Sequence, residues 1–410
     1  MTAWADGPDD LLRELDRWAE VDGPLTGRLI GRIHLPGAAC PRGIGGPTPV
    51  TVRDGLVLDL TSIGATVSDL LERDDLAELA VTADLPVVAP LAHVVAASHH
   101  GRRGPDEPHL LAPFDFQVVR ACGVTFATSL IERVIEEGAR GDAAAARRIR
   151  NELSEAIGSD LAAIEPGSER AAALKRELIA AGRWSQYLEV GIGPDPEIFT
   201  KAPVLASVTI GQQVGVRSDS AWNNPEPEVV LAVDSRGRIV GATLGNDVNL
   251  RDLEGRSALL LGEAKDNNAS CSIGPFIRLF DADPGGFTLD TLMTGEVELE
   301  VDGDEGFATA GANRLGEISR SPRSLVDHAM GRRHQYPDGL ALFLGTMFVP
   351  TADRLGPGSG FTHRPGDRVT IRERHLGSLV NWVGASEAVP PWTMGIRGLM
   401  ANLALRGLLG

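Results

Sequence analysis

Residues 223–247 read NNPEPEVVLAVDSRGRIVGATLGND, and the folding of this stretch decides what the chain is built from. Two apolar runs, VVLAV and IVGATL, flank the turn sequence DSRG at 234–237, which predicts a β-hairpin. Side chains two positions apart in a strand share a face, so Glu226 and Glu228 project together. Folding about the turn pairs position 226 with 245 or 246 and brings Asp247 beside Glu226 at the open end. Pro225 and Pro227 bracket Glu226 and suit an edge strand, where a missing N–H costs no ladder bond. Three carboxylates gathered in this way raise one another's pKa unless a cation neutralises them. A ligand set of oxygens with no His or Cys favours a hard ion, Mg²⁺, with Mn²⁺ or Ca²⁺ as substitutes. These residues alone equally allow two solvated edge glutamates and an aspartate that merely forms a turn.

Outward from the hairpin, the 410 residues suggest about two domains. The fold class read from the patterns is α+β. Residues 1–115 form an N-terminal α+β domain: a helix in DDLLRELDRWAE, strands in GRLIGRIHL and PTPVTVRDGLVLDLT, and short helices in GATVSDLLERDDLAELA. The turn-rich ASHHGRRGPDEPH marks the boundary, with His99, His100 and His109 expected to be solvated. Residues 116–410 read as a mostly β domain with peripheral helices, the helical insertion covering 135–185. A last helix lies in MGIRGLMANLALRGLL, and no internal repeat is visible, which excludes solenoids and propellers.

Composition narrows the function. A net charge of −17 with no Lys/Arg block excludes nucleic acid, which needs a basic surface that releases counterions. LPVVAPLAHVVAA is too short and too broken by proline to cross a bilayer, and no cationic leader precedes it, so no membrane partner and a cytoplasmic location are expected. Cys40, Cys122 and Cys271 are widely spaced and read as reduced, structural thiols. Any acidic substrate of so acidic a chain needs a metal or buried basic residues at its site.

PEPEVVLAV followed by GNDVNLRD resembles the metal-binding core of the fumarylacetoacetate hydrolase superfamily. The resemblance continues in AKDNNASCSIGPF, LFLGTMFVP and FTHRPGDRVTI, and so covers about Gly123 to Arg374. GVTFATSLIERVIEE, PDPEIFTKAP, GVRSDSAWNNPEPE and KDNNASCSIGP are similar to the branch that dehydrates 2-keto-3-deoxy sugar acids. The resemblance implies a fumarylacetoacetate-hydrolase-type catalytic domain in 116–410 and a homo-oligomer, most simply a dimer. It implies Glu226, Glu228 and Asp247 as Mg²⁺ ligands, Lys265 and Glu197 as the catalytic pair, and Thr125, Phe126, Ser129 and Thr346 around the substrate. Hydrolases of the superfamily carry G-x-N-Y-x-x-H-x-x-E, whose His activates water. Here GVTFATSLIE has Ser129 at that position and keeps Glu132, so hydrolysis loses its base.

The implied reaction converts 2-keto-3-deoxy-D-xylonate, equivalently the arabinonate, to 2,5-dioxopentanoate. A keto acid chelating Mg²⁺ gains acidity at C3, a base takes that proton, and an acid assists departure of the C4 hydroxyl. Lys265 is expected to have a lowered pKa beside the cation. The alternative is an acylpyruvate or β-diketo acid hydrolase with the same metal site; a third reading is a silent sugar-acid-binding protein. Weaker signals are Arg251 with Asp252, Arg217 with Asp219, His363, and the glycine-rich GPGSGF at 356–361, read as a loop near the pocket.

Overall fold

The computed structural model describes residues 8–22, 28–40, 42–139, 164–180, 182, 184–282, 285–356 and 359–409. Its strands in chain order begin with β1 (Leu29–Leu35), β2 (Gly46–Arg53), β3 (Leu56–Asp59), β4 (Val87–Pro90), β5 (His109–Leu111) and β6 (Val118–Cys122). There follow β7 (Ile198–Ala202), β8 (Gln213–Val216), β9 (Pro227–Val233), β10 (Ile239–Asp247) and β11 (Cys271–Leu279). The last five are β12 (Glu296–Asp302), β13 (Ala308–Arg314), β14 (Leu340–Phe343), β15 (Arg368–Glu373) and β16 (Gly377–Ala385). An 11-stranded sheet runs β4-β3-β2-β1-β11-β10-β9-β14-β6-β7, with β5 added beside β1. A 5-stranded sheet runs β13-β12-β15-β16-β8. This is the α+β architecture expected.

The hairpin read from the sequence is β9–β10, and it lies in the middle of the large sheet. Every residue of β9 is buried, which explains its unbroken apolar run, since a strand covered on both faces has no solvent side to alternate with. The edge-strand expectation needs correction here, because β14 pairs β9 on the side opposite β10. That pairing covers only Val230–Val233, so Pro227 lies beyond it and breaks no ladder on that side.

Strands on both sides of position 115 share the large sheet: β1 pairs β11 through Leu29↔Arg278 and Ile30↔Ile277. The first helix, Asp9–Asp22, reaches the second sheet, where Glu14 takes a two-pronged ion pair from Arg372 at 2.7 Å. The histidines expected in solvent are partly drawn inside. His109 is buried on β5, its ring stacked on His34 at 5.0 Å, and His99 is buried against Trp382, whereas His100 is exposed. His109 at the end of that loop joins the sheet opposite His34, while Gly101, Arg102 and Pro105 to Glu107 stay exposed.

Candidate metal and acid–base site

A single inserted residue sets the geometry. The turn at 234–237 starts the β9–β10 ladder with Val233 opposite Ile239, but a bulge before Gly241 slides β10 by one, so Ala232 faces Gly241 and Glu228 faces Gly245. Without that slip position 226 would face 246, and Asp247 would point to the opposite side of the sheet. With it, the Asp247 N–H donates to the Glu226 carbonyl at 3.0 Å, and the two side chains share a face. Oxygens of Glu226, Glu228 and Asp247 converge within 4.8 Å of one another, all three residues buried.

Three cations face the trio. Lys265, at the end of a short helix Leu261–Lys265, donates from Nζ to Glu226 Oε2 at 2.5 Å and to Asp247 Oδ2 at 3.1 Å. Lys201, on β7 and wholly buried, lies with Nζ 2.8 Å from Asp247 Oδ1 and donates to the carbonyls of Val248 and Lys265 at 3.1 and 2.5 Å. Its approach to Asp247 is a charge contact without hydrogen-bond alignment, so that buried Oδ1 keeps an unused lone pair. Arg133, on the helix Ala127–Ala139, bonds Glu226 Oε1 at 2.5 Å and also Glu254.

These contacts divide the trio electrostatically. Burial raises the Glu226 carboxyl, but Arg133 and Lys265 outweigh it and bring its pKa down to about 2. Glu228 is held well above its ordinary value by burial and by the charges of Asp247 and Glu226. Among the described residues it accepts only from the Gly345 N–H at 2.7 Å and the Thr346 hydroxyl at 3.2 Å. Burial lowers the Lys265 ammonium, but Asp247, Glu226 and Glu254 together hold it above its usual range. This reverses the expected direction, because the nearest charges to Lys265 are anions. All-carboxylate ligation, an underused Asp247 oxygen and a Glu228 that meets no ammonium or guanidinium within bonding distance among the described residues fit a hard divalent ion.

Glu197 stands at the less buried rim. It precedes β7, where Phe199 and Lys201 share its face, and Lys265 lies 5.6 Å over the Phe199 ring. Gly123 donates its N–H to the Glu197 carbonyl at 3.1 Å, and a Cβ on Gly123 would come within 2.0 Å of Glu197 Oε2. The glycine of GVTF thus makes room for this carboxylate. Burial, and then the charge of Glu254, push the Glu197 carboxyl up to about 7, with Arg133 and Lys265 pulling the other way.

Of the other residues singled out, Thr346 reaches the trio. Thr125 is buried and gives its hydroxyl to the Leu344 carbonyl at 2.6 Å, tying GVTF to the GTMF segment; Phe126 is buried in the main apolar core. Ser129 lies on the helix Ala127–Ala139, its side chain outside the described residues, as are much of the insertion at 135–185 and positions 357–358 of the glycine-rich loop. Arg251 and Asp252 do not pair with each other: Arg251 meets Glu132 at 3.2 Å and stacks over Trp222, while Asp252 accepts from Ser220 and Ala221. Arg217 and Asp219 form a surface ion pair at 2.7 Å, and His363 is buried against Asp367. Lys201, Arg133 and Glu254 went unread. The signals were a lysine one strand period beyond Phe199, and an Arg beside Glu132 on an otherwise apolar helix face.

A cavity of about 560 Å³ lies elsewhere, and none of Glu197, Glu226, Glu228, Asp247 or Lys265 lines it. Among the described residues no helix is long and apolar enough to cross a membrane.

No family model matches the chain. Over 197 residues, 48% of the chain and 63% of the relative, it is 35% identical to the probable 2-keto-3-deoxyxylonate dehydratase of Haloferax volcanii. Over 159 residues, 39% of the chain and 51% of the relative, it is 33% identical to the 2-dehydro-3-deoxy-D-arabinonate dehydratase of Saccharolobus solfataricus. The matches thus span between half and two thirds of these curated relatives. In fold the chain is similar to 2-keto-3-deoxy-D-arabinonate dehydratase complexed with magnesium and 2,5-dioxopentanoate, with TM-score 0.57, 19% identity, and 87% of this chain against 99% of that one. The apo form of that enzyme aligns with TM-score 0.57 at 20% identity, again over 87% and 99%. In sequence over the aligned part, and in fold over most of its length, the chain resembles the 2-keto-3-deoxy sugar acid dehydratases, as its motifs implied.

Proposed function

We propose that the chain is a Mg²⁺-dependent dehydratase that converts 2-keto-3-deoxy-D-xylonate (arabinonate) to 2,5-dioxopentanoate. The observation that carries this reading is the buried convergence of Glu226, Glu228 and Asp247 beneath Lys265, with Glu197 at the rim. The trio holds the ion. When bound, Mg²⁺ supplies positive charge that neutralises the trio, polarises the 2-keto group and makes the C3 protons acidic.

The chain's own residues do the rest. Lys265, kept as an ammonium, donates N–H bonds to the developing negative charge on the keto oxygen. Glu197 is the proton carrier, since a carboxyl with a pKa of about 7 is present in both forms at neutral pH. It takes a proton from C3 and returns it to the C4 hydroxyl, which leaves as water and gives a C3–C4 double bond conjugated to the ketone. Transfer of a proton from C5 to C3 then gives the C4–C5 enol, and its tautomer is the C5 aldehyde. Thr346 and Gly345 hold Glu228 in place, and Thr125 fixes the segment that carries them. Phe126 is buried in the main apolar core, and Ser129 stands where the superfamily's hydrolases carry the histidine that activates water.

The proposal extends to a homo-oligomer in the cytoplasm. Ile396, Met400, Leu405 and Leu409 expose apolar surface around the C-terminal helix Ile396–Arg406, which suits burial against a second copy. Metal-stripped protein given 2-keto-3-deoxy-D-xylonate is expected to form 2,5-dioxopentanoate, read through a coupled aldehyde dehydrogenase, only after Mg²⁺ is restored. Cleavage of acetylpyruvate without dehydration of the sugar acid would overturn the reading in favour of a hydrolase.

A further inference from the structure

The cavity of about 560 Å³ is walled by β1, β5, the loop that carries Arg103, the segment after Leu205 and the chain around Trp392. Its charges are unevenly used. Arg32 is engaged: its guanidinium donates to the carbonyls of Ala112, at 3.1 Å, and Phe114, and it lies 3.9 Å from Asp115. Asp115 is engaged as well, accepting from Val67 N at 2.6 Å, Ser68 N at 3.0 Å, Ser68 Oγ at 2.9 Å and Phe116 N at 2.8 Å.

Arg103 is different. It lines the same cavity, is partly buried, and has no side-chain ion pair or hydrogen bond among the described residues. In a chain of net charge −17 an arginine withdrawn from water and left without a carboxylate runs against ordinary practice, since buried charges are paired. Burial alone lowers its pKa to about 10, so it stays charged at neutral pH. The neighbouring imidazoles offer no anion: burial first, with the Arg103 charge contributing, lowers the pKa of both His109 and His34. A second group independently lacks its partner. Gln117, 1% exposed, accepts the Asp115 N–H at Oε1 at 2.8 Å, while its Nε2 has no acceptor among the described residues. Buried amide hydrogens are seldom left unpaired.

We propose that this cavity is a second binding site, for a small hydroxylated organic monocarboxylate, with the carboxylate on the Arg103 guanidinium and the hydroxyls towards the wall to which Gln117 contributes. One uncommitted guanidinium matches a single negative charge and, as a planar fork, suits a carboxylate. The apolar part of the wall, including Phe114, Val119 and Val208, suits a carbon skeleton better than an inorganic dianion. The site is separate from the trio, and the proposal stands whatever reaction the trio performs.

The test is calorimetric titration of the full-length protein with D-gluconate, with sorbitol and inorganic phosphate as comparisons. Arg103→Ala and Arg103→Lys are measured beside the parent, and their folding is checked by thermal melts. Saturable gluconate binding, weakened at least tenfold by Arg103→Ala, less by Arg103→Lys, and absent for sorbitol, is the expected result. Gluconate binding that is undetectable, or equal in parent and Arg103→Ala, overturns the proposal, the latter because such binding belongs to another site. Phosphate bound more tightly than gluconate overturns the ligand class. Sedimentation of the same variants supplies the remaining outcome: if Arg103→Ala changes the oligomeric mass, the cavity is a contact between copies and the proposal falls.

Discussion

The start of β9 and the whole of β12 both bear carboxylates two residues apart, and they use them in opposite ways. On β12, Glu296, Glu298, Glu300 and Asp302 alternate with Val297, Leu299 and Val301, and exposure alternates with them. Each outward carboxylate has room for water, and Arg372 and Arg368 meet Glu300 and Asp302 at 2.7 and 2.6 Å. On β9, Glu228 begins an unbroken apolar run with no polar face, so it has nowhere to go but inward, and Glu226 precedes it into the same buried space. The i, i+2 spacing is therefore not the signal of a site. The signal is the spacing together with an absence of alternation, because a carboxylate on a strand buried on both faces must find a cation.

The largest expected break in this contrast comes from Glu228→Gln. Removing a ligand of the proposed ion should lower kcat by about 10³-fold or more, on the order of 4 kcal/mol in the barrier, and should weaken Mn²⁺ binding measured by electron paramagnetic resonance. The same change should stabilise the metal-stripped fold. Because burial and two neighbouring anions raise the folded-state pKa of Glu228, its contribution to stability is full below the ordinary carboxylate range and falls as pH rises through its folded value. Glu228→Gln removes that loss, so in chelator the variant should melt above the parent at pH 7 and converge with it near pH 4. An active Glu228→Gln enzyme would remove the distinction drawn between the two strands.

A second carboxylate, Glu197, sharpens the contrast from the side of proton transfer. Glu197→Gln should lower kcat about 10²- to 10⁴-fold, the usual range for loss of a general acid–base group. What remains should lack the limb near pH 7 in the pH profile of kcat/KM that the parent shows. Glu197 also has a raised pKa, so its contribution to stability is present below about 4.5 and is lost as pH rises through about 7. The glutamine variant should therefore gain on the parent in thermal melts across that interval. A limb near pH 7 that persists in Glu197→Gln would assign the titration to another group.

How far the sequence discloses this arrangement follows from what kinds of information a chain carries locally. The hairpin, the α+β class, the first and last helices and the carboxylate trio are all legible, because periodicity and turn chemistry are local. The bulge before Gly241 is not: nothing in IVGATL announces an extra residue, yet that residue decides which face Asp247 takes. The central place of β9 was hidden by its prolines, which read as an edge because sequence cannot say where a neighbouring strand stops. Partners brought from afar, Arg133 from a helix and Lys201 from β7, required the tertiary fold. So did the direction of the Lys265 pKa, which turns on anions 18 and 39 positions away in the chain. Motif resemblance pointed to these groups; packing shows what surrounds them.

The smallest expected effect completes the comparison from the exposed strand. Glu300→Gln removes one of the two carboxylates that meet Arg372, while the two-pronged contact with Glu14 stays at 2.7 Å. Both Glu300 and its partner touch solvent, so the lost attraction is weakened by water and salt, and the expected cost is about 0–1 kcal/mol in denaturant titrations, with kcat unchanged. That cost should shrink further at 1 M salt, which screens solvent-exposed charges. If Glu300→Gln instead reduced activity, β12 would have to communicate with the trio, most directly through its packing against β9, and an outward carboxylate could no longer be read as solvation alone. If it changed nothing while Glu228→Gln abolished turnover, two glutamates in the same local pattern would differ only in what surrounds their strands.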